Sequence, residues 1–203
     1  MTPPEGFRLL PAKLDEGAQR ALADEVLALC DHASPYRPAT PGGKPMSVAM
    51  TNLGEVGWVT DAAGYRYAPR HPLTGRPWPP IPAALLALWA ELCDPDVPPD
   101  CCLVNRYDDA ARMGLHRDQD EADFRFPVLS VSLGDTALFR LGGLKRSDPT
   151  GQLRLASGDV CVLGGAARLA YHGVDRILAG SSRLLEGGGR INLTLRRARP
   201  AAG

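Results

Sequence analysis

The chain has 203 residues, 44% of them apolar, with Gly 22 and Pro 19. That length and hydrophobicity allow a sizeable core and exclude bulk disorder, and the many turn-forming residues favour β-rich or α+β architecture over a helical bundle. A formal net charge of zero excludes a global electrostatic pull toward nucleic acid.

The opening stretch MTPPEGFRLLPAKLDEG has no apolar signal-peptide segment, and no run approaches the ~18 uninterrupted apolar residues of a membrane span. Residues 15–31 predict an amphipathic helix, with acids at its positive end and Ala18, Ala21, Leu22, Leu27 and Leu29 on one side. Residues 35–80 are rich in Pro, Gly and aromatics without strong periodicity. Segments this long without regular structure often serve as functional covers in compact domains. A second helix is expected at 82–93, with Pro82 in its first turn and Leu85, Leu88, Trp89 and Leu92 on one face. It stops before the breaker DPDVPPD. From residue 101 the texture changes to short β-type runs at 101–107, 127–134, 136–143, 158–165, 167–173 and 190–196. Within 127–134, PVLSVSL alternates as a half-buried strand should. Strands following two helices predict a β-sandwich or jelly roll with helices packed outside. No internal repeat or linker interrupts it, so one domain is expected.

The five cysteines, Cys30, Cys93, Cys101, Cys102 and Cys161, are odd in number and lack CxxC spacing. A disulfide framework or zinc ribbon is not expected, and a reducing, cytoplasmic setting is. Charge is segregated along the chain: segments 37–76 and 183–197 are each net +3, and 94–124 between them is net −6. Two basic segments around an acidic one could cradle an anion beside a cation site, although ordinary charge scatter gives the same picture.

The acidic segment contains GLHRDQDE (114–121). His116 and Asp118 lie two apart, so an extended strand points both to one face. His172 follows in a second strand-like run. Two histidines and one carboxylate on opposing strands match the facial triad of non-heme Fe(II) oxygenases, which leaves positions open for substrate and dioxygen. HxD alone also fits an ordinary polar loop. In RINLTLR (190–196), Arg190 and Arg196 share a strand face with Asn192 and Thr194. A buried arginine is costly without an anion, so an inward pair near a metal would be a carboxylate clamp. An exposed basic face is the alternative, and Arg197 and Arg199 fit it.

Together the motifs NRY (105–107), LHRDQDE (115–121), LSVSLG (129–134), GGLKRSDP (142–149), GDVCVLGG (158–165), YHG (171–173) and RINLTLR (190–196) closely resemble the AlkB alkylation-repair dioxygenases. MSVAMTNLGEVGW (46–58), Tyr65, Tyr67 and PWPPIP (77–82) extend the resemblance over about residues 35–197.

The resemblance implies an α+β, mostly β fold: a double-stranded β-helix (jelly roll) with flanking helices in one dioxygenase domain, 1–203. Its N-terminal nucleotide-recognition cover would span about 35–80 and its catalytic core about 101–197. Fe(II) would be held by His116, Asp118 and His172. Leu103, Asn105 and Tyr107 would line the 2-oxoglutarate pocket. Arg190, helped by Tyr107, would pair the distal carboxylate of that cosubstrate, and Arg196 would lie near the carboxylate that is lost, with Asn192 between them. O2 would be the second cosubstrate. Trp58 would stack on the damaged base opposite His116, and Met50 and Tyr65 would supply the pocket wall and a phosphate contact. Asp120 would accept from the exocyclic amine of adenine or cytosine, Glu121 would anchor the local geometry, and Arg146 would support the acidic pair or the bound strand. Cys161 reads as a buried strand residue.

The activity implied is oxidative demethylation of N-alkylated bases, such as 1-methyladenine and 3-methylcytosine, with release of formaldehyde, succinate and CO2. The partner would be alkylated single- or double-stranded DNA, or RNA, bound by a monomer with no membrane association. Arg117 and Gln119 fill variable positions, Leu163 replaces a tryptophan found in some members, and 179–189 diverges. A hydroxylase or demethylase of protein or small molecules, and a non-catalytic damaged-base binder, are the competing functions.

Overall fold

The computed structural model describes residues 2–200. In chain order the elements are strand β1 (Phe7–Leu10), helix α1 (Glu16–His32), strands β2 (Ala49–Gly54), β3 (Gly57–Asp61) and β4 (Gly64–Ala68), and helix α2 (Ala83–Leu92). Strands β5 (Cys101–Tyr107), β6 (Met113–His116), β7 (Val128–Gly134), β8 (Thr136–Leu141), β9 (Gly151–Leu155) and β10 (Val160–Leu163) follow. A 3-10 turn, Gly165–Leu169, then leads into β11 (His172–Leu178) and β12 (Arg190–Arg196).

The strands form a six-stranded sheet, β1-β10-β7-β12-β5-β2, and a four-stranded sheet, β6-β11-β8-β9, with all pairings antiparallel. The two sheets face each other as a jelly roll, and β3 and β4 form a separate hairpin. One core lies between the large sheet and the helices, where α1 and α2 meet Val104, Leu129, Leu133 and Leu193. The other lies between the sheets, around Leu103, Tyr107, Phe139 and Cys161. Strand β7 sits centrally between β10 and β12 and is buried on both faces, not on one as its alternation suggested.

Helix α1 begins on Asp15, whose carboxylate accepts from the Ala18 amide at 2.8 Å. Its buried stripe is Leu22, Ala23, Val26 and Cys30. The expected face is therefore rotated: Ala18 and Ala21 are exposed, because Leu22, Val26 and Cys30 at four-residue spacing carry more apolar area. Helix α2 buries Leu85, Leu88 and Trp89 as its periodicity predicts.

Two other expectations are corrected. Residues 167–173 are not a strand: the 3-10 turn occupies their first part, and His172 begins β11 instead of ending a strand. The segment 35–80 does not lack regular structure, because β2 within it pairs with β5 at the edge of the large sheet. Its polar residues are used internally. Thr51 donates to the Ala33 carbonyl, and Asn52 both donates to the Trp58 carbonyl and accepts from the Trp58 amide. Thus β2 holds the β3–β4 hairpin through Asn52.

Candidate active site

His116 ends β6 and His172 starts β11, and the two are directly opposed in the ladder. Their ring centroids are 4.5 Å apart. Asp118 lies just beyond β6, with Oδ1 4.0 Å from His116 Nε2 and Oδ2 4.0 Å from His172 Nε2. The three potential ligand atoms all lie within 4.8 Å of one another. Each Nδ1 is tied to a backbone carbonyl, His116 to Gly114 at 2.9 Å and His172 to Ala170 at 3.0 Å. A proton held on Nδ1 leaves the Nε2 lone pair facing Asp118, the arrangement a metal ligand needs. Burial, reinforced by His116, pushes the His172 pKa down to about 4, so its ring is neutral near pH 7. Burial alone would raise Asp118, but Arg196, His172 and His116 outweigh it and hold the carboxyl well below the usual range.

An inner pocket runs from this cluster between the two sheets. Leu103, Asn105 and Tyr107 on β5 face it, opposite Thr194, Asn192 and Arg190 on β12. Both arginines point inward and are buried. Arg196 pairs with Asp118 at 2.9 Å and with Glu121 at 3.3 Å. Arg190 is held by neutral groups alone: the carbonyls of Asp135 and Leu155, at 3.1 and 3.0 Å, and the Ser132 hydroxyl at 2.7 Å. Burial lowers its pKa. Arg190 Nε, Arg196 Nη1 and Asn105 Oδ1 are buried without a hydrogen-bond partner among the described residues. Buried donors and a buried cation without a counter-ion are costly unless an anion completes them. The pocket therefore suits a small dicarboxylate, with Arg190 at one end and the metal-ligand cluster at the other. Asn192 contributes less than expected, since its amide donates to Ser130 and its carbonyl accepts from Thr194. Cys161 lines the same pocket, but burial pushes its thiol up to about 12, so it is no nucleophile.

An outer pocket opens on the other side of His116 and Asp118, bounded by Met50, Trp58, Tyr65, Asp120 and Arg146. Met50 is buried and forms the floor. Trp58 is half-buried and stacks on Tyr65, with centroids 5.5 Å apart and planes at 19°. Its indole Nε1 donates to Asp120 Oδ2 at 2.8 Å. Asp120 thus has one oxygen committed, and Tyr65 is an aromatic partner of Trp58 before any phosphate is present. Glu121 is buried and bonded to Tyr67, Arg168 and Arg196, so it anchors the site and is not free to read a base. Arg146 donates to the Leu115 carbonyl at 2.7 Å and not to the acidic pair. Arg117 reaches Gln119 and lies over the Tyr171 ring.

Two residues escaped the sequence reading of the site. Arg168 is buried and donates to the Phe126 and Asp118 carbonyls, both at 2.8 Å, and to Glu121 at 3.0 Å. It lay within a run read as a strand, where its depth had no signal. Tyr67, noted only as part of the resemblance, is the cross-strand partner of Trp58. Its alternation with Tyr65 in GYRYA places the two tyrosines on one strand face.

The sequence matches the 2OG-Fe(II) oxygenase superfamily across residues 6–196. It is 68% identical over 198 residues to an alpha-ketoglutarate-dependent dioxygenase AlkB homolog of Caulobacter vibrioides, covering 97% of this chain and 89% of that protein. The chain belongs to the AlkB family. Alpha-ketoglutarate-dependent dioxygenase AlkB of Escherichia coli is 49% identical over 170 residues, covering 81% of this chain and 78% of that one. The solved structure of OsALKBH1 superimposes with a TM-score of 0.84 at 30% identity, over 97% of this chain and 98% of the other. As an AlkB-family member, the protein is an Fe(II)- and 2-oxoglutarate-dependent dioxygenase. The ligand cluster and the unsatisfied Nε of Arg190 are the features of this fold that suit a metal and a keto-acid. No helix among the described residues is long and apolar enough to cross a membrane.

Proposed function

We propose that this protein is an oxidative demethylase of N-alkylated bases, such as 1-methyladenine and 3-methylcytosine, in DNA or RNA. One observation carries the reading: His116 and Asp118 line two pockets at once, one built for a dicarboxylate and the other walled by a stacked aromatic pair. An aromatic platform beside a carboxylate suits a flipped, cationic base. The chain acts as one domain, with the β3–β4 hairpin and its loops as the substrate cover.

His116, Asp118 and His172 would hold Fe(II). Arg190, whose Nε has no partner among the described residues, would take the distal carboxylate of 2-oxoglutarate, with Tyr107 beside it. Arg196 orients Asp118 and would offer Nη1 toward the other end, while the side chains of Asn105 and Leu103 line the pocket between. When bound, iron with 2-oxoglutarate and O2 supplies the oxidation that hydroxylates an N-methyl group, and the products are formaldehyde, succinate and CO2. Trp58 and His116 sandwich the base, Met50 forms the floor, and the uncommitted oxygen of Asp120 accepts from an exocyclic amine. That carboxylate also favours the positive charge that ring N-alkylation creates. Tyr65 and Arg146 flank the entrance, where the phosphate backbone passes.

Mass spectrometry of an oligonucleotide carrying one 1-methyladenine tests the reading. Incubation with the protein, Fe(II), 2-oxoglutarate and O2 should return unmodified adenine. A methyl group retained while succinate is still released would redirect the substrate to a protein or small molecule.

A further inference from the structure

Trp58 and Tyr67 oppose each other across the β3–β4 hairpin, and each reaches one of two consecutive acids. Trp58 Nε1 donates to Asp120, and the Tyr67 hydroxyl donates to Glu121. Among the described residues the hairpin strands pair only with each other, so packing and side-chain bonds seat them on the core. Glu121 is the hub beneath them. It receives Arg168 at 3.0 Å and Arg196 at 3.3 Å, and its side chain is only 2% exposed. Arg196 continues to Asp118 at 2.9 Å, and Arg168 holds the Asp118 carbonyl at 2.8 Å. An unbroken set of bonds therefore runs from Tyr67 on the cover hairpin to the metal-ligand motif and to Arg196, which lines the inner pocket.

We infer that the hairpin is a two-point clasp that couples seating of the base to the 2-oxoglutarate site, with Tyr67 and Arg168 as positioning residues. Both bonds of the clasp are made in this structure, and a base seated on Trp58 would lock them in place. Tyr67 holds Glu121 where Arg196 keeps its alignment on Asp118. Arg168 is the fixed floor against which this alignment is made, since all three of its bonds end on the 118–126 turn. Coupling of this kind is reciprocal: whatever factor the base adds to 2-oxoglutarate affinity, 2-oxoglutarate adds to base affinity. A network that merely stabilised the fold would support both ligands equally and independently. The inference rests on the demethylase reading for the identity of the base.

The test is equilibrium binding to the Fe(II)-loaded full chain without oxygen, so no turnover is needed. Calorimetry measures 2-oxoglutarate affinity with and without an oligonucleotide bearing 1-methyladenine, in wild type and Tyr67→Phe. The oligonucleotide should tighten 2-oxoglutarate binding by about fivefold or more in wild type. In Tyr67→Phe each ligand alone should bind as in wild type, while the coupling factor falls below about twofold. The same factor in both proteins, or no factor in wild type when both ligands bind, overturns the inference and leaves the demethylase reading standing. If Tyr67→Phe melts early, Arg168→Lys takes its place; it keeps a charge beside Glu121 but cannot reach all three acceptors. Coupling that persists there also overturns the inference. An oligonucleotide that fails to bind wild type overturns the substrate assignment, and the inference with it.

Discussion

Replacing Arg190 by lysine keeps the charge in the inner pocket and removes the planar fork. In the native site the two terminal nitrogens are spent on Asp135 O, Leu155 O and Ser132 Oγ, which leaves Nε for the ligand. A lysine ammonium has three donors at one point and cannot both fill those acceptors and face a carboxylate. Losing one charge-assisted contact costs about 1–3 kcal/mol. At about 1.4 kcal/mol per tenfold, the KM for 2-oxoglutarate should rise by about 5- to 150-fold. Iron affinity should hold, because Arg190 contacts none of His116, Asp118 and His172. The acceptors left bare should also lower global stability by about 1–3 kcal/mol. Succinate release at varied 2-oxoglutarate, beside iron stoichiometry and a melting curve, separates the effects. An unchanged KM in a folded Arg190→Lys protein would refute the clamp.

Trp58→Ala should weaken binding of a methylated oligonucleotide by about ten- to a hundred-fold, from about 1–3 kcal/mol of lost base stacking; equal loss of melting temperature and of 2-oxoglutarate binding would instead mark Trp58 as a core anchor. Arg168→Ala strands Glu121 and two carbonyls in the interior, so urea unfolding should show a loss of about 3–5 kcal/mol; a loss below about 1 kcal/mol would show that the turn does not depend on it. The pH dependence follows from His172, which burial holds at about 4 against 6.5 for a free ring. Between those values the unfolded chain binds the proton and the folded chain does not. Stability of the metal-free protein therefore falls as pH drops through that window. His172→Gln should flatten the slope, and an unaltered slope would remove His172 as its source.

The chemistry was more legible in the sequence than the scaffold that aims it. His116, Asp118, Arg190 and Arg196 lie on β6 and β12 or just beyond, in short segments whose even spacing shows which side chains share a face. Several partner strands were not visible as strands. Strand β2 buries Thr51 and Asn52, and those polar side chains break the hydrophobic alternation although each is satisfied. Strand β9 is short, with an apolar–polar pattern too brief to separate from a loop. Strand β11 carries exposed Asp175 and Arg176 and a register shift, so its periodicity is lost. The roles of Glu121 and Arg168 depend on contacts 47 residues apart. Local pattern holds no trace of such contacts, so the anchoring role of Glu121 was legible only through the resemblance and its partners not at all. The committed oxygen of Asp120 was hidden for the same reason, since Trp58 lies 62 residues away.

The central claim is that one iron site joins oxidation of 2-oxoglutarate to removal of a methyl group from a base. Formaldehyde and succinate measured together, on an oligonucleotide carrying 1-methyladenine or 3-methylcytosine and on its unmethylated twin, test this most directly. The account predicts formaldehyde only from the methylated strand, matched by a rise in succinate, with both lost in His172→Ala or when iron is chelated. Succinate release indifferent to the methyl group, with no formaldehyde, would contradict it.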